Sequence, residues 1–167
     1  MLQASAHQTD PFAYMKNANL TEWSNGVGIT VQMMMSAQAQ GVLQDGWHVL
    51  ARLHLMEREF DRAKKDQVTW EARRAGLGFG NYSFDAIKTI NNNDWLVIAI
   101  AYVTGLDYRD YLRMWGFAFS SEAVAQVAGF NYPVVPRKYY ISDGKDYCKG
   151  LDKPVVRIDG VSAWPLP

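Results

Sequence analysis

The chain is predicted to be mainly α: a helical bundle around a buried central helix, followed by a short irregular or β C-terminal segment. Three observations predict this. Apolar residues recur at helical spacing through much of residues 27–130. The run Trp95 to Val103 is apolar on every side, as a helix enclosed by other helices must be. After Gly129 the texture changes, because Pro133, Pro136, Pro154, Pro165 and Pro167 exclude long helices. The expected organisation is a flexible or partly helical lead-in over 1-26, a helical body over 27-130, and a Pro-rich segment over 131-167 with short strands packed on the body.

Residues 1–26 are polar and small, punctuated by Asp10-Pro11 and Ser24-Asn25-Gly26, with room for a short helix at Phe12 to Lys16. From Val27 to Gln40 the residues favour helix, with Val31, Met34, Met35 and Gln38 at helical spacing. Met33 to Met35 suit a core, where Met fills irregular gaps, better than a binding groove. Asp45 is placed to cap a helix from about Gly46 to Lys65. In it Val49, Leu53, Met56 and Phe60 form an apolar stripe, while Glu57, Arg58, Glu59, Asp61 and Arg62 crowd the solvated side.

Residues 66–82 read as a connecting region ending in Gly76-Leu77-Gly78-Phe79-Gly80-Asn81. This spacing fits neither a P-loop nor a dinucleotide fingerprint, and no strand pattern precedes it. An irregular loop with unusual dihedrals is expected. Ser83 caps a short helix to about Ile90, Asn91-Asn92-Asn93 breaks it, and Asp94 caps the apolar helix that ends at Gly105. Asp107 caps a helix through Trp115, whose apolar side is Tyr108, Tyr111, Leu112 and Trp115; Gly116 ends it in the left-handed conformation. Ser120 or Ser121 caps a last helix to Ala128, closed by Gly129. Beyond it, Lys138 to Ile141 and Val155 to Ile158 are β-prone, and Asp143-Gly144 suits a hairpin turn.

Composition narrows the function classes. Hydrophobic residues at 49% and charged residues at 20% describe a globular chain. Seventeen basic residues balance seventeen acidic ones without any long Lys/Arg block, which argues against a nucleic-acid binder. The single Cys148 excludes an intrachain disulfide and a Cys-rich zinc site. The longest apolar run is too short to span a bilayer. The first twenty residues lack the basic start and apolar core of a signal peptide, and a polar opening of this kind is expected of a piece cut from a longer protein.

No self-contained catalytic constellation emerges. A zinc peptidase needs His-Glu-x-x-His, two His on one helical face with a Glu to activate water, and nothing of that form occurs. His48 and His54 are six residues apart, about 120° around a helix, and cannot easily grip one metal. His54 borders Trp47, Leu50 and Ala51, which suits a core or edge histidine. His7 carries no signal. Cys148 has no positioned His, and no nucleophile-elbow pattern occurs. Asp107 with Asp110, and Glu57 with Asp61, are explained by capping and solvated faces.

One stretch carries more than generic helix chemistry: Asn93 to Ala99, then Thr104 to Leu112, then Met114-Trp115-Gly116-Phe117 and Ser120 to Ala123. It resembles the C-terminal helical part of M60-like (enhancin-type) zinc metallopeptidases, within them the immunomodulating metalloprotease group. These are gluzincins acting on mucins and other O-glycosylated proteins. Gly46-Trp47-His48-Val49-Leu50-Ala51-Arg52-Leu53-His54 is similar to the helix that follows the metal motif there, so the resemblance covers roughly residues 25–130. The family's metal ligands and catalytic Glu have no counterpart here, so the resemblance assigns no catalytic residue and no metal ligand to this chain.

The resemblance implies a secreted or cell-surface parent holding zinc elsewhere. This chain would be a non-catalytic subdomain supporting the cleft, with the upstream catalytic domain and a glycoprotein substrate as partners. The alternative is a stand-alone carbohydrate- or protein-binding helical module using exposed Trp and Tyr. If any residue here touches substrate, the candidates are Trp70, Arg73, Arg74 and Asn81, with His54 as a further one. Trp70 offers a ring to stack on a sugar, the arginines offer donors, and the glycines permit close approach. The competing reading has Trp70 packed on the preceding helix and the arginines solvated.

Overall fold

The computed structural model describes residues 23–140 and 155–157. Among them the order is α1 (Trp23–Ala39), α2 (His48–Ala63), α3 (Gln67–Arg73), a 3-10 turn (Ala75–Leu77), α4 (Phe84–Lys88), α5 (Asn92–Thr104), α6 (Arg109–Met114), α7 (Ser121–Gly129), β1 (Lys138–Tyr140) and β2 (Val155–Arg157). The protein is mainly α, as its periodicity predicts.

The central helix is α5. Val97, Ile98, Ala99, Ile100 and Ala101 are fully buried, and α2 and α7 pack against its flanks. Helix α2 turns Val49, Met56, Phe60 and Ala63 inward and its charged residues outward, as the stripe requires. The reading of α1 was incomplete. Besides Met33, Met34, Met35 and Ala37 it buries the polar Gln32 and Ser36, so it is enclosed nearly as fully as α5. The Gln32 amide explains how: its Nε2 donates to the Tyr140 carbonyl (2.9 Å) and its Oε1 accepts from the Tyr140 N–H (2.8 Å), standing in for a neighbouring strand. On its other side β1 pairs antiparallel with β2, with Tyr139 opposite Val156. The Asp143-Gly144 turn expected between them lies outside the described residues, as do His7, Cys148 and the expected helix at Phe12 to Lys16.

The segment after α7 is bound to the helical body through its main chain. Asp107 N–H donates to Pro133 O (2.8 Å) and Val135 N–H to Asp107 O (3.0 Å). Val135 and Tyr139 lie in the same core as the helices.

Several boundaries differ from expectation. Residues 66–82 contain a true helix, α3, because Asp66 caps it by accepting from the Thr69 N–H (2.8 Å). Asp45 caps the turn before α2, accepting from the Trp47 N–H (2.9 Å), and the helix itself starts at His48. Asn91, not Asp94, is the N-cap of α5: its side chain accepts from the Asp94 N–H. Gly129 is the last residue of α7, and the left-handed turn after it falls on Asn131, with φ of 53°. Ser83 and Ser120 cap α4 and α7, and Gly105 and Gly116 take left-handed φ of 70° and 86°.

Candidate functional site

The residues with recognition chemistry in 66–82 are set by the packing of α3 against α2. Phe60 on α2 contacts Trp70 on α3 edge to face, with centroids 5.6 Å apart, and Phe79 fills the corner at 4.9 Å from Phe60. Trp70 is fully buried and its indole N–H donates to the Tyr82 carbonyl at 3.0 Å. It has no exposed face for a sugar ring, which corrects the expectation of stacking. Packing against the preceding helix wins because the ring is worth more buried among Phe60 and Phe79 than half in water.

The arginines are engaged rather than freely solvated. Arg73 Nη2 lies 2.7 Å from Glu59 Oε2, and Arg62 pairs with the same carboxylate. These hydrogen bonds, that of Arg73 foremost, hold the Glu59 carboxyl below its usual range. Arg74 Nη1 donates to the carbonyls of Gly80 (2.7 Å) and Tyr82 (3.2 Å), and its Nε lies 2.8 Å from Glu71. Arg74 is therefore a brace holding the 78–82 loop in shape. Asn81 is exposed; its backbone N–H donates to Gln126 Oε1 at 2.7 Å.

The glycines serve packing. Gly78 has φ of 82°, and a Cβ there would sit 2.7 Å from the Tyr102 ring. Tyr102 OH in turn donates to the Gly76 carbonyl at 2.9 Å. Trp70, Arg73, Arg74 and Asn81 thus share one corner of the molecule, whereas His54 does not join them. His54 points to solvent, 76% exposed, with Nδ1 3.7 Å from Glu57. It sits five residues from Glu59, about 140° around α2. A core position for His54 is therefore excluded.

The carboxylate pairs are spoken for as well. Although burial pushes the Asp107 carboxyl up, the Arg109 side chain and N–H outweigh it and hold the group below its usual range. The guanidinium contacts both carboxylate oxygens, Oδ1 through Nε and Oδ2 through Nη2. Asp110 pairs with Arg113, and Asp61 with Lys64. Among the described residues no three of His, Cys, Asp and Glu come together as a metal site. The exposed His48 and His54 are held apart by their helix, so the described residues do not fit a zinc centre.

No family profile matches the chain. Over 128 residues it is 30% identical to the immunomodulating metalloprotease of Pseudomonas aeruginosa. The chain is related to one segment of an M60-like metallopeptidase. The match covers 73% of this chain and 13% of that protein. The solved IMPa metallopeptidase of Pseudomonas aeruginosa has the same fold over 99% of this chain and 19% of its own, with a TM-score of 0.68 at 24% identity. The structure of IMPa in complex with an O-glycopeptide matches with the same TM-score at 23% identity, over 99% of this chain and 20% of its own. The chain thus spans only a small part of its relatives' length.

Two further residues line a surface concavity that sequence reading did not single out. Asn91 and Ser120 were read only as helix punctuation. In the fold both line a surface depression together with Asn92, Asn93, Ala118 and Phe119. A cluster of three Asn was the available signal.

Proposed function

We propose that this chain is the C-terminal helical subdomain of a secreted M60-like zinc metallopeptidase acting on mucin-type or other O-glycosylated proteins. In this reading it supports the catalytic cleft and supplies no catalytic group or metal ligand of its own. The observation that carries it is the 30% identity to the immunomodulating metalloprotease over 128 residues. The internal engagement of the charged groups is consistent with a scaffold: Glu59, Arg74 and Arg109 each tie one segment to another, and Asp107 holds the Arg109 guanidinium in place. The partners are the catalytic portion of the same polypeptide and its glycoprotein substrate. Zinc, held by that portion, would supply the Lewis acid for peptide hydrolysis. Of the corner residues, Asn81 and Arg73 keep side chains that reach solvent, and these, with Arg74 behind them and His54 separately, are the groups we propose can touch substrate.

The test uses this chain and the longer protein side by side. The isolated chain is expected to hold no stoichiometric zinc after dialysis and to leave an O-glycosylated peptide uncut, while the longer protein binds zinc and cleaves it. About one zinc per isolated chain, or cleavage by it, would overturn the reading.

A further inference from the structure

We infer that the outward face of α2 is the surface by which this chain docks on the rest of a longer polypeptide, and that its counterpart there is an apolar groove bordered by a carboxylate. The inference rests on the reading of the chain as one segment of a larger protein. Helix α2 turns Val49, Met56, Phe60 and Ala63 into the core, so an amphipathic pattern would leave its opposite side polar. That side is not polar. Trp47 is 50% exposed and Leu55 is 57% exposed, and Ala51 between them is exposed as well.

The three residues stand four apart in sequence, and Trp47 already has helical backbone angles (φ −61°, ψ −22°). They therefore form one continuous ridge along the helix, about 12 Å long at about 1.5 Å per residue. Single exposed apolar side chains are ordinary, but a line of them on one helix face marks a contact surface. A ridge of residues at i, i+4 and i+8 has the shape that seats in an apolar groove of a partner.

The neighbouring charges and the size of the relatives indicate the occupant. Most charges near the ridge are engaged within the chain. Arg62 pairs with Glu59 and Lys64 with Asp61, His54 lies beside Glu57, and Arg52 donates to the Val103 carbonyl at 2.8 Å. Arg58, three residues after Leu55, is exposed and has no ion pair among the described residues. Its guanidinium is open to a carboxylate on whatever covers the ridge. The same face of a second copy would offer it Glu57, Glu59 and Asp61, all three already engaged. The rest of a longer chain has no such restriction. In the two solved relatives this fold makes up 19% and 20% of the chain, so about four-fifths of each lies outside it. A segment of that size meets the remaining chain through part of its surface, and such contacts have an apolar centre with a polar rim.

The test is hydroxyl-radical footprinting read by mass spectrometry, on this chain and on the longer protein. Trp70, fully buried, is the internal standard, because it has the same intrinsic reactivity as Trp47. In this chain alone Trp47 is expected to oxidise at least about tenfold faster than Trp70, and in the longer protein its rate should fall close to that of Trp70, with Leu55 slowed in parallel. Arg58→Glu in the longer protein should bring back oxidation of Leu55, whereas Arg58→Lys should not. Trp47 remaining about tenfold faster than Trp70 in the longer protein would overturn the docking. Protection in this chain alone would also overturn it, assigning the face to a second copy if it fades on dilution and to another segment of this chain if it persists. An unchanged Leu55 rate in Arg58→Glu would overturn the carboxylate. The outcomes stay separate from those for the peptidase reading. Protection without zinc binding or cleavage would sink that reading alone, and cleavage with Trp47 unprotected would sink the docking alone.

Discussion

Replacing Trp70 by Ala separates a packing role from a recognition role for the residue most suggestive of sugar contact. The indole is fully buried against Phe60 and Phe79. Burying an aromatic of this size removes about 200 Å² from water. At about 25 cal/mol per Å² that is worth about 5 kcal/mol. Unfolded chains already hide part of such surface, so about 4 kcal/mol is the expected loss, inside the range seen when large aromatics are truncated in cores. The lost indole hydrogen bond adds little, because the Tyr82 carbonyl keeps Arg74 Nη1 at 3.2 Å. Trp70→Phe preserves most of the ring volume and should cost about 1–2 kcal/mol. Urea unfolding followed by far-ultraviolet circular dichroism measures both, with an unchanged slope showing that the denatured state is comparable. A loss under about 1 kcal/mol for Trp70→Ala would refute the burial argument and return the ring to solvent.

Three other perturbations probe the same framework. Ile98→Asp and Ile100→Asp each place an unpaired carboxylate in the core of α5 and should abolish cooperative unfolding; a near-normal melting temperature for either would show that α5 is not enclosed. Gly116→Ala meets no neighbour and should cost only the left-handed penalty of about 1 kcal/mol, whereas Gly78→Ala adds a collision with the Tyr102 ring and should cost distinctly more; equal losses in calorimetry would contradict the contact. Asp107→Asn should flatten acid denaturation. Because the folded Asp107 carboxyl titrates below its unfolded value of about 3.9, its stabilisation is present above that pH and is lost as pH falls through the folded value. The gap in stability between wild type and Asp107→Asn should therefore shrink below about pH 4, and a constant gap down to about pH 2 would show that the ion pair contributes nothing.

What could be read in advance was local. Ser83, Ser120, Gly105 and Gly116 punctuate helices by their own backbone and side-chain preferences, so their roles were visible in the chain. The inward stripe of α2 and the enclosure of α5 follow from periodicity alone. What could not be read depends on partners far along the chain. Gln32 is polar, yet it is buried because its amide meets the main chain of Tyr140, 108 residues away. That Trp70 packs on the preceding helix was one of the two readings the sequence left open, and what decides it, the meeting of Phe60 and Phe79 around the ring, is presented by no short window. Helix α3 was hidden by the neighbouring glycines, although Asp66 and Thr69 have capping spacing.

The contrast between two corners of the molecule shows why composition misleads about recognition. Residues 70–82 hold Trp, two Arg, three Gly and Asn, which would be assigned to ligand contact on residue type. Yet their bonding capacity is largely spent inside the fold: the indole N–H on Tyr82, the Arg74 guanidinium on Gly80 and Tyr82, and the Arg73 guanidinium on Glu59. Buried donors must find acceptors, so a loop of this composition at a helix junction becomes its own brace. The run Asn91-Asn92-Asn93 looks like mere punctuation, yet Asn91 alone caps α5 and Asn92 is left with an uncommitted amide at the surface. Bonding capacity left unspent, rather than residue type, is what a ligand can use.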